Sequence, residues 1–251
     1  MKSKIAWIAG AIVAFVGFLI MYLPAAQVIG RATLPANVEI YGVSGTLWEG
    51  QAQQIVVNGL PVNDVSWQLH PLALLAGNIS VDLEGGNIRS ADEVSFAGPV
   101  TTGLLSQQRI ELEDFQLYLP VSRVLSQVSL PIPVNASGRF RARIVELEFN
   151  GECQRLKGEG SWLNAAVAGT QGPIDFGTYK ATLRCEDKDI GITVSEPNKL
   201  GLSMDAVVNS TFSRFSVAGK FKPDEDLPRE VHQAAGFFGQ PQADGYTRFK
   251  L

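Results

Sequence analysis

The chain has 251 residues, a net charge of −4 and 45% hydrophobic residues. This composition indicates a folded protein with a sizeable core and excludes a disordered chain. The acidic balance is mild, and no basic run is long enough to follow a phosphate backbone, which argues against nucleic acid as a partner.

The first element in the chain is an uncharged apolar segment at residues 5–23. The charged residues before it are Lys2 and Lys4. As a helix it would measure about 28 Å, close to the ~30 Å hydrocarbon core of a bilayer. Because the two lysines lie on its short side, the positive-inside rule predicts cytoplasmic residues 1–4 and an exported remainder, residues 24–251. The segment is therefore predicted to be a transmembrane signal anchor.

A cleaved signal peptide is the alternative interpretation of this segment. The apolar run exceeds the ~7–15 residues usual in such peptides, and cleavage after Ala26 would place Pro24 at the third residue upstream. Pro24 instead predicts the end of the helix, because proline lacks the amide donor and disfavours helical geometry in the residue before it. These observations favour the uncleaved anchor.

Small residues recur along one side of the predicted anchor at four-residue spacing, namely Ala6, Gly10 and Ala14. Such a face would let a second helix approach closely. Small residues are also common in membrane spans without a specific partner, so this spacing alone does not identify one.

From Leu34 onward, polar and apolar residues alternate with a period of two between turn residues. This alternation predicts antiparallel strands with one apolar and one polar face. The clearest examples are residues 64–69, 79–84, 139–144, 179–186 and 215–221. The alternation shifts by one residue around Glu113 and Asp114, which predicts a strand-bending bulge, and Asn58-Gly59 predicts a tight turn. The expected fold class is mainly β: an N-terminal transmembrane helix and a large curved antiparallel sheet with few short helices.

Helical spacing of apolar residues occurs in three segments after the anchor, at residues 25–32, 121–128 and 231–238. Prolines around the second segment predict a boundary between two β halves, because they interrupt strand pairing. The predicted halves are residues 34–119 and 133–222, followed by a C-terminal helical tail at residues 223–251. The halves share a faint similarity, which is consistent with a duplication and equally with a chance match between strands.

Two cysteines, Cys153 and Cys185, lie in the predicted exported part. An oxidising compartment permits a disulfide between them, which would close a loop of about 33 residues, worth roughly 3.7 kcal/mol in the chain-entropy model. The alternatives are two buried free thiols or redox chemistry, and the wide spacing does not favour the latter.

No motif in the sequence points to catalysis. His70 and His232 are the only histidines, and neither has a metal-ligand spacing. There is no nucleophile elbow, phosphate-binding loop or dinucleotide fingerprint. The acidic groups near residues 111–114 and 224–226 are best explained as solvated turns. We therefore expect no enzyme activity, no cofactor and no metal.

Four segments carry a family resemblance. They are residues 22–26, residues 42–52 with Gly45, Thr46, Leu47, Trp48 and Gly50, residues 65–69 with Trp67, and residues 71–77. Together they resemble the type II secretion system protein N family over essentially the full chain. The Gly-Thr-Leu-Trp element is the most specific part, although anchored periplasmic β proteins of the AsmA-like group carry a similar one.

This resemblance implies a single-pass inner-membrane protein of a Gram-negative bacterium, with its bulk in the periplasm. It would be a non-enzymatic secretion component that assists export of folded proteins across the outer membrane, with the inner-membrane platform or the secretin as partners. The AsmA-like resemblance implies an alternative, a module that binds a lipid or another hydrophobic ligand along the apolar sheet face. An unrecognised hydrolase is a third hypothesis.

The Gly-Thr-Leu-Trp element itself has two interpretations. Its glycines permit a tight turn, and Trp48 would supply a large apolar cap for the sheet edge. For both Trp48 and Trp67, ordinary core packing is favoured over a role in binding a partner.

Overall fold

The computed structural model describes residues 2–32, 34–106, 108–126, 135–211 and 213–250, without the side chains of residues 2–6, 9 and 13. The chain forms one open antiparallel sheet of 14 strands with a few short helices around it. The mainly β prediction is therefore confirmed.

One long helix and four short ones are present in the described residues. They are α1 (Lys2–Met21), α2 (Ala25–Ile29), α3 (Pro71–Leu75), α4 (Val121–Leu125) and α5 (Arg229–Ala235), the last continued by a 3₁₀ turn at Gly236–Phe238. Pro24 separates α1 from α2, as its missing amide donor predicts. The predicted helix at residues 121–128 ends at Leu125, and Val128 lies outside the described residues.

Within the described part of the chain, no helix combines the length and apolar character needed to be recognised as a membrane span. The predicted anchor at residues 5–23 thus stays a prediction. The apolar side chains that are described on α1 are exposed, among them Trp7, Ile12, Phe15 and Phe18.

The strands follow one another along the chain. They are β1 (Val38–Tyr41), β2 (Ser44–Gly45), β3 (Glu49–Val57), β4 (Leu60–Leu69), β5 (Asn78–Gly85), β6 (Ser95–Gly103), β7 (Arg109–Pro120), β8 (Ala136–Asn150), β9 (Cys153–Gly169), β10 (Gly172–Glu186), β11 (Asp189–Val194), β12 (Ser203–Val208), β13 (Phe215–Phe221) and β14 (Thr247–Lys250). From β3 to β14 each strand pairs with the next one in sequence, while β1 and β2 both pair with β3. The sheet therefore has one edge at β1 and β2 and another at β14.

Local irregularities in the sheet match the sequence pattern. Between the pairs Ala97–Gln116 and Val100–Leu112, β7 contains one residue more than β6, and Asp114 in this stretch has a φ of 44°. The predicted bulge is thus confirmed. Asn58 and Gly59 form the two-residue turn between β3 and β4, both with positive φ, as in the hairpin turns that fit the twist of a sheet.

The sheet continues without interruption across the boundary predicted near residues 121–128. Strands β7 and β8, one from each predicted half, pair from Arg109–Asn150 to Pro120–Arg139. Residues 127–134 lie outside the described part of the chain. The division into two halves stays a prediction.

One face of the sheet is apolar and the other is polar. A row of directly paired residues crosses the apolar face from β6 to β12, comprising Phe96, Leu117, Ala142, Gly160, Ala181, Val194 and Met204. The adjacent row points to the opposite face and comprises Gln116, Arg143, Glu159, Thr182, Thr193 and Asp205. Cross-strand pairing thus converts the period-two alternation into two chemically distinct faces.

Two hydrophobic clusters form the core on this sheet. The first contains Val62, Val65 and Val94, with Leu117 and Leu119 packed against them. The second contains Ala165, Phe176, Tyr179, Val194 and Leu227, joined by Val231 from α5.

The accessible surface of the chain is 16443 Å². A compact monomer of the same mass would expose about 10,800 Å². The exposed side chains of α1 and the half-buried apolar face of the extended sheet contribute to this excess.

Candidate functional site at the junction of helix and sheet

The end of α1 is joined to the turn that contains the Gly-Thr-Leu-Trp element. Pro24 forms an isolated antiparallel bridge with Thr46, and the Leu47 amide donates a hydrogen bond of 2.9 Å to the Leu23 carbonyl. Next to this bridge, Ala25 at the start of α2 is completely buried. The chain leaving the helix is therefore paired with the sheet directly after the last helical turn.

Trp48 binds the helix itself. Its indole Nε1 donates a hydrogen bond of 2.8 Å to the carbonyl oxygen of Ile20. The Ile20 carbonyl lies in the last turn of the helix and also accepts a hydrogen bond of 3.3 Å from the Leu23 amide, so Trp48 supplies a second, shorter one. Trp48 is partly exposed, and its polar N–H is directed to the helix.

Trp67 on β4 supports the same turn from the neighbouring strand. Its Nε1 donates a hydrogen bond of 3.1 Å to the carbonyl oxygen of Leu47. Gly50 pairs with Trp67 across the strands, and a Cβ atom on Gly50 would lie 2.4 Å from Cζ2 of that indole. Glycine at position 50 is thus required for the close contact between the turn and the ring.

Thr46 and Glu49 close the turn. The Thr46 amide donates to the Glu49 carbonyl over 2.8 Å, and the Glu49 amide donates to the Thr46 hydroxyl over 3.1 Å. Gly45 has a φ of 84°, a backbone region that favours glycine. A Cβ atom at Gly45 would lie 2.6 Å from the Glu49 carbonyl oxygen. Each family-motif residue therefore has a structural role in this turn.

The contacts at the junction of α1 and the sheet are structural. Two indole N–H groups bind backbone carbonyls, and the described residues contain no cluster of three or more side chains suited to hold a metal ion. His70 precedes α3 at an exposed position and lies 2.8 Å from Asp82, as Nε2 to Oδ2. What the junction can do is hold the helix and the sheet in a defined relation.

Other predicted site residues lie elsewhere. Cys153 and Cys185 form a disulfide between β9 and β10. Lys2, Lys4 and Ala6 lie on α1, and their side chains are outside the description. Apart from the backbone of its own helix, no described atom lies within 4 Å of a Cβ added at Gly10, and Ala14 lies one turn further along α1.

The apolar face of the sheet is partly open. Trp67, Leu83, Phe115 and Phe149 are each half-buried rather than enclosed. At the far end of the sheet a cavity of about 250 Å³ opens between the sheet and α5; its lining comprises Leu200, Leu202, Phe221, Pro223, Val231, Ala234, Ala235, Phe238 and Phe249. Burial on this face also raises the pKa of Tyr179 to about 12.

Sequence reasoning did not identify the partners of the two tryptophans. It interpreted Trp48 as an apolar cap or a core residue, whereas the structure adds a hydrogen bond to Ile20. The acceptors are backbone carbonyls, which every residue carries, so the sequence holds no signal that selects them. In the local sequence, the feature that distinguishes Trp48 is its position in a turn flanked by Gly45 and Gly50.

The family model and the similar proteins all name the same family. The family described as Type II secretion system (T2SS), protein N matches residues 36–250. No solved structure matches the chain. The chain is 28% identical to the type II secretion system protein N of Vibrio cholerae over 240 residues, 92% of this chain and 90% of the relative. It is 28% identical to that of Aeromonas hydrophila over 261 residues, 100% and 98% of the two chains, and 24% identical to that of Pectobacterium carotovorum over 251 residues, 98% and 95%. The chain belongs to the type II secretion system protein N family.

Proposed function

We propose that the chain is a non-enzymatic component of the type II secretion system that is anchored in the inner membrane and presents its sheet in the periplasm. Family membership carries this proposal. The uncharged segment at residues 5–23 and the exposed apolar side chains on α1 support the anchor, because such a surface is stable in hydrocarbon and not in water.

The junction explains how an anchor would serve such a component. Trp48 and Leu47 bind the carbonyls of Ile20 and Leu23, so the sheet would be held directly at the membrane surface. Tryptophan is favoured at membrane interfaces, where its ring is in the apolar region and its N–H finds a polar partner. The main contribution of this protein to secretion would then be to hold the sheet at the membrane surface.

Orientation is tested by cysteine labelling in cells. Ser3→Cys lies before the apolar segment, and Glu225→Cys lies in the loop before α5. With a membrane-impermeant maleimide on intact spheroplasts, we expect labelling at position 225 and labelling at position 3 only after lysis. Labelling at position 3 in intact spheroplasts would overturn the proposed orientation. Lys2→Glu with Lys4→Glu should weaken it, because these lysines are the positive charges on the short side.

The two sheet edges are the proposed docking surfaces for other secretion components. Among the described residues, β1 pairs only with β3, and β14 pairs only with β13. Unpaired edge strands offer N–H and C=O groups to an added strand. A photo-cross-linking residue at Tyr41 or Arg248 should give adducts with a secretion component. The matched control is Thr182 in the central strand β10, which should give none.

A second candidate function, binding of a lipid or hydrophobic ligand, rests on the open apolar face. The half-buried residues Trp67 and Phe115 and the 250 Å³ apolar cavity favour it. Native mass spectrometry of the full chain extracted from membranes tests this candidate. A bound acyl ligand that is lost in Ala235→Trp, which fills the cavity, but retained in the surface variant Thr182→Trp would support it. Absence of any bound ligand from the wild-type chain would count against it.

A further inference from the structure

Four leucines are exposed on two adjacent loops at one end of the sheet. On α3, Leu72 is 78% exposed and Leu75 is 87% exposed. In the loop between β6 and β7, Leu104 is 45% exposed and Leu105 is 99% exposed. The two loops are tied together by a hydrogen bond of 2.9 Å from the Leu104 amide to the Gly77 carbonyl. We call these four residues the leucine patch.

The leucine patch is not explained by the packing of its own loops. On α3, Ala73 and Leu74 are the half-buried residues and the helix contacts β5, while Leu72 and Leu75, three positions apart, share the outward side. Single exposed leucines are normal on protein surfaces, but a contiguous group marks a surface that meets an apolar environment.

The patch lies at the same end of the sheet as the junction with α1. The Leu69 amide at the end of β4 donates a hydrogen bond of 2.6 Å to the Trp48 carbonyl, and α3 begins two residues later at Pro71. Two residues span at most about 7 Å. The β6–β7 loop is at this end as well, because Gly103 pairs with Asn78 at the start of β5.

Charge and continuity indicate what covers the patch. Residues 71–78 and 104–108 contain no charged side chain, so no ionic partner is specified. The same end of the sheet is joined to α1, whose exposed Phe18 and Leu19 lie in the last turns of the helix, beside the carbonyls that bind the junction. A bilayer that receives the apolar side chains of α1 would therefore meet the two leucine loops at its surface.

We infer that the leucine patch is a second membrane contact, which inserts into the outer leaflet of the lipid bilayer beside the anchor. This inference rests on the proposed function, since it requires α1 to cross the membrane. The junction alone connects the sheet to the anchor through a small group of residues at one point. A second contact beside the anchor restricts the rotation of the sheet about that point and so limits its tilt relative to the membrane.

The test uses the full chain reconstituted in lipid vesicles, with its native disulfide intact and a single added cysteine carrying an environment-sensitive fluorophore. The probes are placed at Leu75→Cys and Leu105→Cys. The matched controls are Ile88→Cys and Phe237→Cys, which are also exposed apolar positions but lie beyond the opposite ends of the strands. We expect lipid-borne nitroxide to quench most of the fluorescence at positions 75 and 105, and aqueous iodide to quench it at positions 88 and 237.

A probe at Phe18→Cys separates failure of this inference from failure of the proposed function. If position 18 is quenched by the lipid nitroxide but position 105 is quenched by iodide, the anchor holds and the leucine patch is not a membrane contact. If position 105 is shielded from both quenchers, a protein covers the patch and the inference is overturned. If position 18 is accessible to iodide, the anchor itself is wrong.

A substitution gives an independent readout of the same contact. Leu105→Asp places a charge in the patch, so lipid quenching of a probe at position 75 should fall to the level of the controls. Ile88→Asp, the equivalent change at the opposite end, should leave quenching at position 75 unchanged. Unchanged quenching at position 75 in Leu105→Asp would contradict the inference.

Discussion

The indole nitrogen of Trp48 donates a hydrogen bond of 2.8 Å to the carbonyl oxygen of Ile20, which is 28 positions earlier in the chain. Among the described residues, further contacts attach the segment directly after α1 to the sheet. They include the bridge between Pro24 and Thr46 and the hydrogen bond from Leu47 to Leu23. The orientation of the helix on the sheet therefore depends on a small group of residues, and single substitutions in this group should change it.

Trp48→Phe removes the hydrogen bond to Ile20 and retains most of the ring. A neutral hydrogen bond of this kind contributes about 0.5–1.5 kcal/mol, so the junction should open roughly fivefold more often. Limited trypsin digestion at Arg31, which follows α2, measures this opening, and cleavage there should accelerate. The control Trp162→Phe also loses an indole hydrogen bond, to the Ser137 carbonyl, but far from the junction. Equal acceleration in both variants would contradict a local role for Trp48.

Gly50→Ala should destabilise the protein, because the new Cβ would lie 2.4 Å from Cζ2 of Trp67 and 2.8 Å from the Thr46 carbonyl oxygen. Overpacking of this kind costs about 1–3 kcal/mol. Urea unfolding followed by tryptophan fluorescence measures the change. Gly236→Ala is the matched control, since no atom lies within 4 Å of its added Cβ, and its free energy of unfolding should stay close to that of the wild type.

Loss of the disulfide between Cys153 and Cys185 should lower the free energy of unfolding. The bridge joins positions 32 apart in sequence, at the start of β9 and the end of β10. The chain-entropy estimate for a loop of this length is roughly 3.7 kcal/mol. Cys153→Ser with Cys185→Ser, compared with the wild type in urea, measures the loss. Reductant should destabilise the wild type by a similar amount and leave the double variant unaffected; a reductant effect on the double variant would point to another cause.

The stability of the protein should fall at high pH through Tyr179. Burial raises the pKa of this phenol to about 12, whereas an unfolded tyrosine has a pKa of about 10. The folded state thus keeps the proton over a range in which the unfolded state releases it. The stabilising contribution is fully present below pH ~10 and is lost as the pH rises towards ~12. Melting temperatures at pH 9 and pH 11 should differ less in Tyr179→Phe than in the wild type, and an equal difference would exclude this residue as the cause.

The sheet could be predicted from the sequence to a large extent. Alternation at residues 139–144 and 179–186 predicted strands that the structure contains within β8 and β10, and the phase shift at Glu113 and Asp114 predicted the bulge. These predictions succeeded because strand periodicity and glycine or asparagine turns act over a few residues, where sequence order and spatial order coincide.

The junction and the leucine patch could not be predicted in the same way. Trp48 binds a residue 28 positions away, and Leu72 and Leu105 come together only because β5 and β6 pair. Both depend on which strand ends share one end of the sheet, and the local pattern around each residue does not contain that information. The helix at Pro71–Leu75 was also missed, since a single turn is too short for helical periodicity to be recognised.

The order of strands in the sheet has a consequence for how the protein is made. From β3 to β14, every strand finds its partner in the strand synthesised just before it. A hairpin forms in roughly 1–10 μs, whereas synthesis adds about 5–20 residues per second. Each new strand can therefore pair before its successor exists, and the growing sheet adds strands at one edge only, opposite the edge at β1 and β2. Assembly in this order from the N-terminal side would limit the time for which an incomplete sheet offers its newest unpaired strand to other chains.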